Sequence, residues 1–289
     1  MIRTWALAGV IAVLLGGVVS LQAGVATNLS GLYYSGINSG GGLLSGGSTD
    51  PHWTVTYARV DGSNYNGSST YTGAARVVSG TYIDYAWTQN TSTAQWITAP
   101  GAMTAASGGT VNIGGDYLPG NGTSGTNRAQ YIYTLAFPIT GTGSGTVTND
   151  VSINLTIAAD DQYKIYVNPV LNSNGSVNTS SSTLAASRTN AWNNTTAEYL
   201  QNYSNSNGSD NANFVIGTNY IVIVVDNTNS VTGSSSSDAL NPSGLLVYQV
   251  GSAALIDGSP VPEVGTWLPL LGAVGLYGAV IGRRRRQVR

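Results

Sequence analysis

The sequence predicts an all-β domain, and three observations lead to this fold class. Short runs of alternating apolar and polar residues recur along the chain, and residues 151–157 show the clearest alternation. Clusters of Gly, Asn, Ser and Thr separate these runs, with 38 glycines in 289 residues. Helical periodicity is almost absent. Many short strands with this punctuation are typical of a β-sandwich or a β-barrel.

Each predicted strand follows from its own pattern. The run 151–157 directs four aliphatic residues to one side, and the strand 163–167 after it predicts a hairpin. The run 220–225 is apolar on both sides, which indicates a central strand. The remaining strands are predicted at 53–57, 75–78, 82–87, 95–98, 131–137 and 245–250.

Residues 170–212 interrupt this rhythm, because they are rich in Asn and Ser and contain few apolar residues. We interpret them as a long polar surface insertion, with room for a short helix within 184–200.

The composition excludes several classes of protein. Charged residues are only 8% of the chain, but 17 Tyr and 6 Trp provide enough apolar surface for a core, so the chain is not predicted to be disordered. Between residues 27 and 258 the acidic residues outnumber the basic ones, which excludes nucleic-acid binding through phosphate neutralisation. With no cysteine there is no disulfide framework and no thiolate metal site. The basic residues of this stretch are Arg59, Arg76, Arg128, Lys164 and Arg188.

Residues 1–26 have the pattern of a secretory signal peptide. Arg3 precedes an apolar run from Ala6 to Val19, and small residues follow, with cleavage expected after Ala23 or after Ala26. An uncleaved membrane anchor is the alternative, and both interpretations place the following residues outside the cytoplasm.

The last residues, 259–289, combine a short motif, an apolar stretch and a basic end. Val261, Pro262 and Glu263 precede the apolar stretch 267–282, which would form a helix of roughly 24 Å against a hydrocarbon core of about 30 Å. The arginine cluster keeps this end cytoplasmic. The cluster consists of Arg283, Arg284, Arg285 and Arg286.

This three-part layout resembles the PEP-CTERM sorting tail of Gram-negative bacteria that make exopolysaccharide. The resemblance implies that an exosortase-like transpeptidase is the partner. That enzyme would cleave near Pro262-Glu263, after the chain has been held transiently in the inner membrane, and release it to the cell surface or extracellular matrix. The second proline of the motif is Val264 here. An ordinary C-terminal membrane anchor is the alternative.

The intervening residues, 27–258, resemble a family of single β-sandwich domains with the jelly-roll topology of galactose-binding-like modules. The resemblance implies the fold and a surface location, and one departure is Pro169 in place of the glycine that usually follows the asparagine of a turn. The matching segments are 41–44, 50–53, 95–97, 131–137, 157–161, 165–168, 217–221 and 243–247.

Asp160 and Asp161 lie between two predicted strands. Their carboxylates, with Asp226 and Asn227 at another strand end, are candidate oxygen ligands for a calcium ion, the one cofactor we consider. A tight turn stabilised by aspartate side chains is the alternative.

No enzymatic activity is predicted. His52 is the only histidine and has no accompanying nucleophile motif, so we expect it to fix a loop. Glu198 is the only glutamate of the body, whereas glycoside hydrolysis needs two facing carboxylates.

Aromatic side chains are the candidate contacts for a sugar, because their flat apolar faces pack against pyranose rings. The candidates are Trp87, Trp96, Trp192 and Tyr203. Trp192 and Tyr203 lie in the polar insertion, where Trp192 is expected to be exposed, whereas Trp87 and Trp96 lie on predicted strands and are expected in the core. We therefore expect a non-enzymatic surface protein that binds exopolysaccharide. A purely structural or adhesive protein, with or without attached sugars of its own, is the alternative.

Overall fold

The computed structural model describes residues 23–61, 64–65, 71–78, 87–99, 103–105, 111–113, 127–160, 162–173, 175–204, 206, 208–228, 243–248, 254–257 and 259–260. In this part of the chain the only regular secondary structure is β-strand, and the strands pair antiparallel except for one short parallel pair. The predicted all-β class is confirmed.

Seventeen strands make up the described fold. In chain order they are β1 Ala23–Leu29, β2 Thr49–Asp61, β3 Asn64–Tyr65, β4 Tyr71–Val77, β5 Ile97–Thr98, β6 Met103–Ala105, β7 Val111–Ile113, β8 Asn127–Thr142, β9 Ser144–Val147, β10 Val151–Asp160, β11 Gln162–Val167, β12 Leu184–Arg188, β13 Thr196–Gln201, β14 Gly217–Thr228, β15 Gly244–Tyr248, β16 Ala254–Ile256 and β17 Ser259–Pro260.

Fifteen of these strands form one sheet, and eleven of them follow the order β12-β11-β14-β8-β2-β4-β5-β15-β10-β16-β17. The other four lie off this path: β13 pairs with β10, β3 pairs with β2, and β1 pairs with β8 and β9. Most neighbours in the sheet are far apart in sequence, so the fold depends on long-range pairing. Strands β6 and β7 form a separate two-stranded sheet.

The main core takes residues from both ends of this strand order. Val151, Ile153, Leu155 and Ile157 of β10 are all buried in it, as the alternating pattern predicted. Residues 221–225 of β14 are buried on both faces, which confirms the predicted central strand. Burial of apolar side chains on this scale is the main stabilising contribution to such a domain.

Two sequence predictions about strand pairing and helix were wrong. Strands β10 and β11 do not form a hairpin, because β10 pairs with β13, β15 and β16 while β11 pairs with β12 and β14. Residues 184–200 hold β12 and β13 instead of a helix, and both strands join the main sheet. The insertion 170–212 therefore contributes to the fold, because Leu200 and Phe214 close by belong to the core.

A buried carboxylate anchors the segment before β2. The Asp50 side chain is fully buried and accepts hydrogen bonds from the backbone N–H groups of Gly36, His52 and Trp53 at 2.7, 2.8 and 3.1 Å. The His52 ring stacks on Tyr33 with centroids 3.5 Å apart, which agrees with a loop-fixing role. Desolvation raises the pKa of Asp50 above its ordinary value, against the lowering effect of the three backbone hydrogen bonds.

We predict that Asp50→Asn destabilises the protein by about 1–3 kcal/mol at neutral pH. One carboxylate oxygen would become an amide nitrogen facing an N–H donor. Because the pKa of Asp50 is higher in the folded state than in the unfolded state, proton binding by Asp50 stabilises the fold. This contribution is fully present below the unfolded pKa of 3.8 and is lost as the pH rises through the folded pKa. The stability difference between wild type and variant should therefore shrink from acid to neutral pH. Urea unfolding at several pH values measures it.

The control is Asp150→Asn, since the Asp150 side chain is exposed. It should change the unfolding free energy by less than about 0.5 kcal/mol. Equal stability of Asp50→Asn and wild type at neutral pH would contradict the anchoring role.

Candidate functional site

A second cluster covers the face of β10 and β15 that points away from the main core. Ala158 and Leu246, which are register neighbours on these two strands, pack there with four residues of the segments 78–96. We call this group the tryptophan cluster, because Trp87 and Trp96 dominate it. Its buried members are Val78, Trp87, Ala94, Trp96, Ala158 and Leu246.

The two tryptophans of this cluster are held rigidly. Their ring centroids are 4.3 Å apart with an interplanar angle of 33°. The Trp96 Nε1–H donates to the Thr88 carbonyl at 2.7 Å, and the Trp96 backbone N–H donates to Asn90 Oδ1 at 2.9 Å. Both rings are buried, so the interpretation of Trp87 and Trp96 as core residues is confirmed.

Three half-buried aromatic residues pack on the outside of the tryptophan cluster. They are Tyr34, Trp192 and Tyr248, and we call them the aromatic patch. The Trp192 carbonyl accepts a hydrogen bond from the Thr88 backbone N–H at 2.9 Å, which joins the insertion to the cluster. Trp192 was expected to be exposed in a polar loop, and it is instead half-buried against the tryptophan cluster. Tyr203 is also half-buried but follows β13 and is not part of this cluster.

Gly244, the first residue of β15, lies directly under the two tryptophans. A Cβ atom there would be 3.0 Å from Trp96 Cε3 and 3.2 Å from Trp87 Cη2. The rings therefore rest on the bare backbone of β15, and sequence reasoning missed this contact because a single glycine among 38 gives no distinguishing pattern.

A row of polar side chains continues from the aromatic patch along the same face of β10. Ser152, Asn154 and Thr156 lie on this face, and Gln201 of β13 is the register neighbour of Ser152. We call these four residues the polar strip. Ser152, Thr156 and Gln201 are buried and Asn154 is half-buried. Thr156 is the register neighbour of Tyr248, so the strip begins where the aromatic patch ends.

Three oxygen atoms of the polar strip are buried and have no hydrogen-bond partner within the protein. They are Asn154 Oδ1, Thr156 Oγ1 and Gln201 Oε1. Buried polar atoms in native proteins are nearly always paired, so three unpaired acceptors on one face of two neighbouring strands are unusual.

The body's only glutamate takes part in a charged network at a different place. Glu198 Oε1 accepts a hydrogen bond from the Tyr163 hydroxyl at 2.6 Å and lies 3.7 Å from Arg188 Nε. Burial and the neighbouring carboxylate raise the pKa of Tyr163. This network ties β11, β12 and β13 together.

The candidate calcium ligands are described in part. Asp160 is the buried last residue of β10, and Asp226 near the end of β14 is also buried. Asp226 accepts a hydrogen bond from Gln130 Nε2 at 2.9 Å and lies 4.0 Å from Lys164 Nζ. Asp161 lies outside the described residues. In the portion that is described, no group of three His, Cys, Asp or Glu side chains is placed to hold a metal ion.

The predicted targeting segments lie outside the described residues. These are the signal peptide up to residue 22, the motif Val261-Pro262-Glu263, the apolar stretch 267–282 and the arginines 283–286. The described ranges contain no helix that is long and apolar enough to span a bilayer.

Comparison with known proteins found no matching family model and no matching curated protein. Among solved structures, the cysteine protease and lectin-like domains of Cwp84, a surface layer associated protein of Clostridium difficile, are 13% identical, with 83% of this chain and 56% of that chain covered and a TM-score of 0.19. A variant of the clostridial cysteine protease Cwp84 after propeptide cleavage is 13% identical, covering 73% of this chain and 56% of that chain at a TM-score of 0.18.

A third structure, infectious bursal disease virus Gx strain, is 10% identical, covering 82% of this chain and 65% of that chain at a TM-score of 0.16. The chain thus spans less than two thirds of each of these structures. Similarities at such TM-scores carry no argument about the fold or function of this chain.

We predict that Gly244→Ala lowers stability by about 1–3 kcal/mol and disturbs the tryptophan pair, because an added methyl group overpacks a rigid contact. Urea unfolding would measure the first effect, and near-ultraviolet circular dichroism the second.

Gly42→Ala is the matched control, because its Cβ would lie 3.2 Å from the side chain of exposed Asn38 in a turn far from the tryptophans, where Asn38 Oδ1 accepts hydrogen bonds from the backbone N–H groups of Gly40 and Gly42. An unchanged aromatic spectrum in Gly244→Ala would show that the tryptophans do not depend on this contact.

Proposed function

We propose that this chain is a non-enzymatic, exported surface or extracellular-matrix protein that associates with exopolysaccharide. Its body is proposed to be a single jelly-roll β-sandwich domain of the galactose-binding-like kind. The observation that supports binding is the aromatic patch, in which the half-buried residues Tyr34, Trp192 and Tyr248 pack against the tryptophan cluster.

The aromatic patch has the physical properties that sugar binding requires. An aromatic ring offers a flat apolar surface to the C–H face of a pyranose, and polar groups beside it orient the sugar. The rings pack against the tryptophan cluster, so little conformational freedom is lost on binding, and less loss of freedom favours affinity. Three rings from distant segments on one cluster indicate a surface built by the fold.

Export of the chain is proposed from its two ends. An exosortase-like transpeptidase would process the chain at Val261-Pro262-Glu263 while the stretch 267–282 and the arginine cluster hold it in the inner membrane. The mature protein would then reach the cell surface or matrix.

Strand β1 supports one of the two signal-cleavage sites. Ala26 is buried in the core, and the Gly24 carbonyl accepts hydrogen bonds from the backbone N–H and hydroxyl of Thr148 at 2.9 and 3.0 Å. Cleavage after Ala23 preserves these contacts, whereas cleavage after Ala26 removes them. We therefore propose that the mature chain begins at Gly24.

A structural or adhesive matrix protein without a specific ligand is the second candidate. The burial of Trp53, Trp87 and Trp96 favours it, because these rings then serve only the core. The sparse charge of the surface suits either role.

We predict that the full chain in mild detergent co-sediments saturably with exopolysaccharide and that Trp192→Ala or Tyr248→Ala weakens binding at least tenfold. The reason is the loss of a stacking surface. Co-sedimentation with and without calcium also tests the site of Asp160, Asp161 and Asp226, since calcium dependence would support these ligands.

Tyr220→Ala is the matched control for Tyr248→Ala. Tyr220 is an exposed tyrosine on β14, on a different part of the sheet, and its removal should leave binding unchanged. Binding that is absent in the wild type, or equally weakened by all three substitutions, would leave the structural role as the better explanation.

We predict that the native surface protein, measured by intact mass, begins at Gly24 and lacks residues 283–289. Retention of Arg283–Arg286 in surface material would refute sorting by tail cleavage. A first residue of Thr27 would contradict the argument from β1.

A further inference from the structure

We propose that the groove between β12 and β13 is a second sugar subsite, so that the ligand is an oligosaccharide stretch of a polymer and not a single sugar ring. This inference rests on the proposed function, because it adds a second contact region to the aromatic patch. The groove has a volume of about 610 Å³, which lies within the range of roughly 300–1,000 Å³ that is usual for ligand pockets. Its lining includes Tyr199 of β13 and the segment 208–211.

The residues that line the groove combine an aromatic ring with polar groups. Tyr199 is half-buried, and Ser209 and Asp210 are exposed. A tyrosine ring offers an apolar face to a pyranose, while hydroxyl and carboxylate groups accept hydrogen bonds from the hydroxyls of the sugar. Ala197, two positions before Tyr199, is exposed and also lines the groove, so its small side chain leaves room beside the tyrosine.

The Asn211 side chain connects the two walls of the groove. Its Nδ2 donates to the Ala185 carbonyl of β12 at 3.1 Å and to the Tyr199 carbonyl of β13 at 2.7 Å. Its Oδ1 accepts a hydrogen bond from the Gln201 backbone N–H at 2.8 Å. These bonds form the groove before a ligand binds, and a preformed site loses little conformational freedom on binding.

A peptide strand is the other ligand that two neighbouring strand edges could take, because such edges can offer unpaired N–H and C=O groups. The edge of β13 is capped at this place. Asn211 occupies the Tyr199 carbonyl and the Gln201 N–H. The Gln201 carbonyl accepts hydrogen bonds from the backbone N–H groups of Asn211 and Ala212, both at 2.9 Å. Strand addition is therefore disfavoured, and a ligand recognised through side chains fits better.

The distance between the groove and the aromatic patch sets the length of the ligand. Trp192 packs against the tryptophan cluster, whose β10 member is Ala158. Tyr199 is the register neighbour of Asn154, four residues earlier on β10. At about 3.3 Å per residue these two positions are roughly 13 Å apart. A single pyranose ring is too short to contact Trp192 and Tyr199 together, so a ligand that uses both is an oligosaccharide.

Ligand length tests this subsite in the full chain in mild detergent. The probes are the exopolysaccharide and fragments from its partial acid hydrolysis, separated by size down to the monosaccharides. We expect wild type to bind long fragments more tightly than monosaccharides. Tyr199→Ala should weaken the binding of long fragments roughly tenfold, because a stacking surface is lost, and should leave the weaker binding of the shortest fragments unchanged. Trp192→Ala should weaken both.

Asp210→Asn is the second variant, because the substitution of an exposed side chain leaves the fold intact. It should weaken the binding of long fragments roughly threefold or more, since a hydrogen bond to a charged group becomes a neutral one. Asp150→Asn is its matched control, and Tyr220→Ala is the control for Tyr199→Ala, because both control residues are exposed elsewhere on the sheet. The urea midpoint of each variant shows whether the fold is retained.

The outcomes separate the two proposals. If Trp192→Ala weakens binding but Tyr199→Ala and Asp210→Asn bind long fragments as wild type does, the second subsite is wrong and the proposed function stands. Equal affinity of wild type for long fragments and monosaccharides overturns the oligosaccharide assignment. Binding of a synthetic peptide with the β12 sequence that is lost in Tyr199→Ala would identify a strand-pairing site and overturn the sugar assignment of the groove. No binding of the polymer by wild type defeats both proposals.

Discussion

Burial of β10 on both faces is the constraint on which the rest of the candidate site depends. One face carries Ile153, Leu155 and Ile157 into the main core. The other face carries Ser152, Thr156 and Ala158, which are buried, and Asn154, which is half-buried. Because the second face is half polar, its cover has to combine apolar contact with hydrogen bonding. Trp87 and Trp96 supply the apolar contact at the Ala158 end of β10. At the polar end, Asn154 Oδ1 and Thr156 Oγ1 have no hydrogen-bond partner in the protein.

The rigidity of the aromatic patch comes from polar groups buried elsewhere. Ser35 Oγ donates to the Gln95 carbonyl at 2.7 Å and accepts from the Val247 backbone N–H at 2.9 Å, while Gln95 Nε2 donates to the carbonyls of Gly36 and Leu44. These bonds tie the segment before β2 to β15 and to the residues that precede β5. Tyr34 and Tyr248, next in sequence to these anchors, are positioned by them. In a chain with 8% charged residues, hydroxyl and amide groups perform the anchoring that ion pairs would provide only weakly at a surface.

Sequence reasoning located most strands, because a period of two is a local property of the chain. The same pattern could not identify the pairing partners of these strands. Strand β10 pairs with strands about 40 to 100 residues later in the chain, and one of them, β13, lies in the segment 170–212 that was predicted to be a surface insertion. Polar alternation also suggested that Ser152 and Thr156 would face solvent. Both residues are buried in the folded chain, and alternation carries no information about what covers a face of the sheet. Trp192 is half-buried, and its packing against the tryptophan cluster could not be predicted from a run of Asn and Thr.

The unpaired oxygens of Asn154 and Thr156 on β10 affect the stability of the folded state. A buried oxygen without a donor lowers stability, and valine at position 156 would bury the same volume without that loss. A local arrangement that weakens the fold and lies next to accessible aromatic rings is the kind of exception that functional sites produce. Tyr163 and Glu198 show that this chain can satisfy a buried polar pair when only structure is required, since the hydroxyl and the carboxylate meet at 2.6 Å. The contrast between the satisfied network on the inner side of β13 and the unsatisfied row on the outer side of β10 therefore marks a local cost to stability on the outer face, beside the aromatic patch, that the inner face does not have.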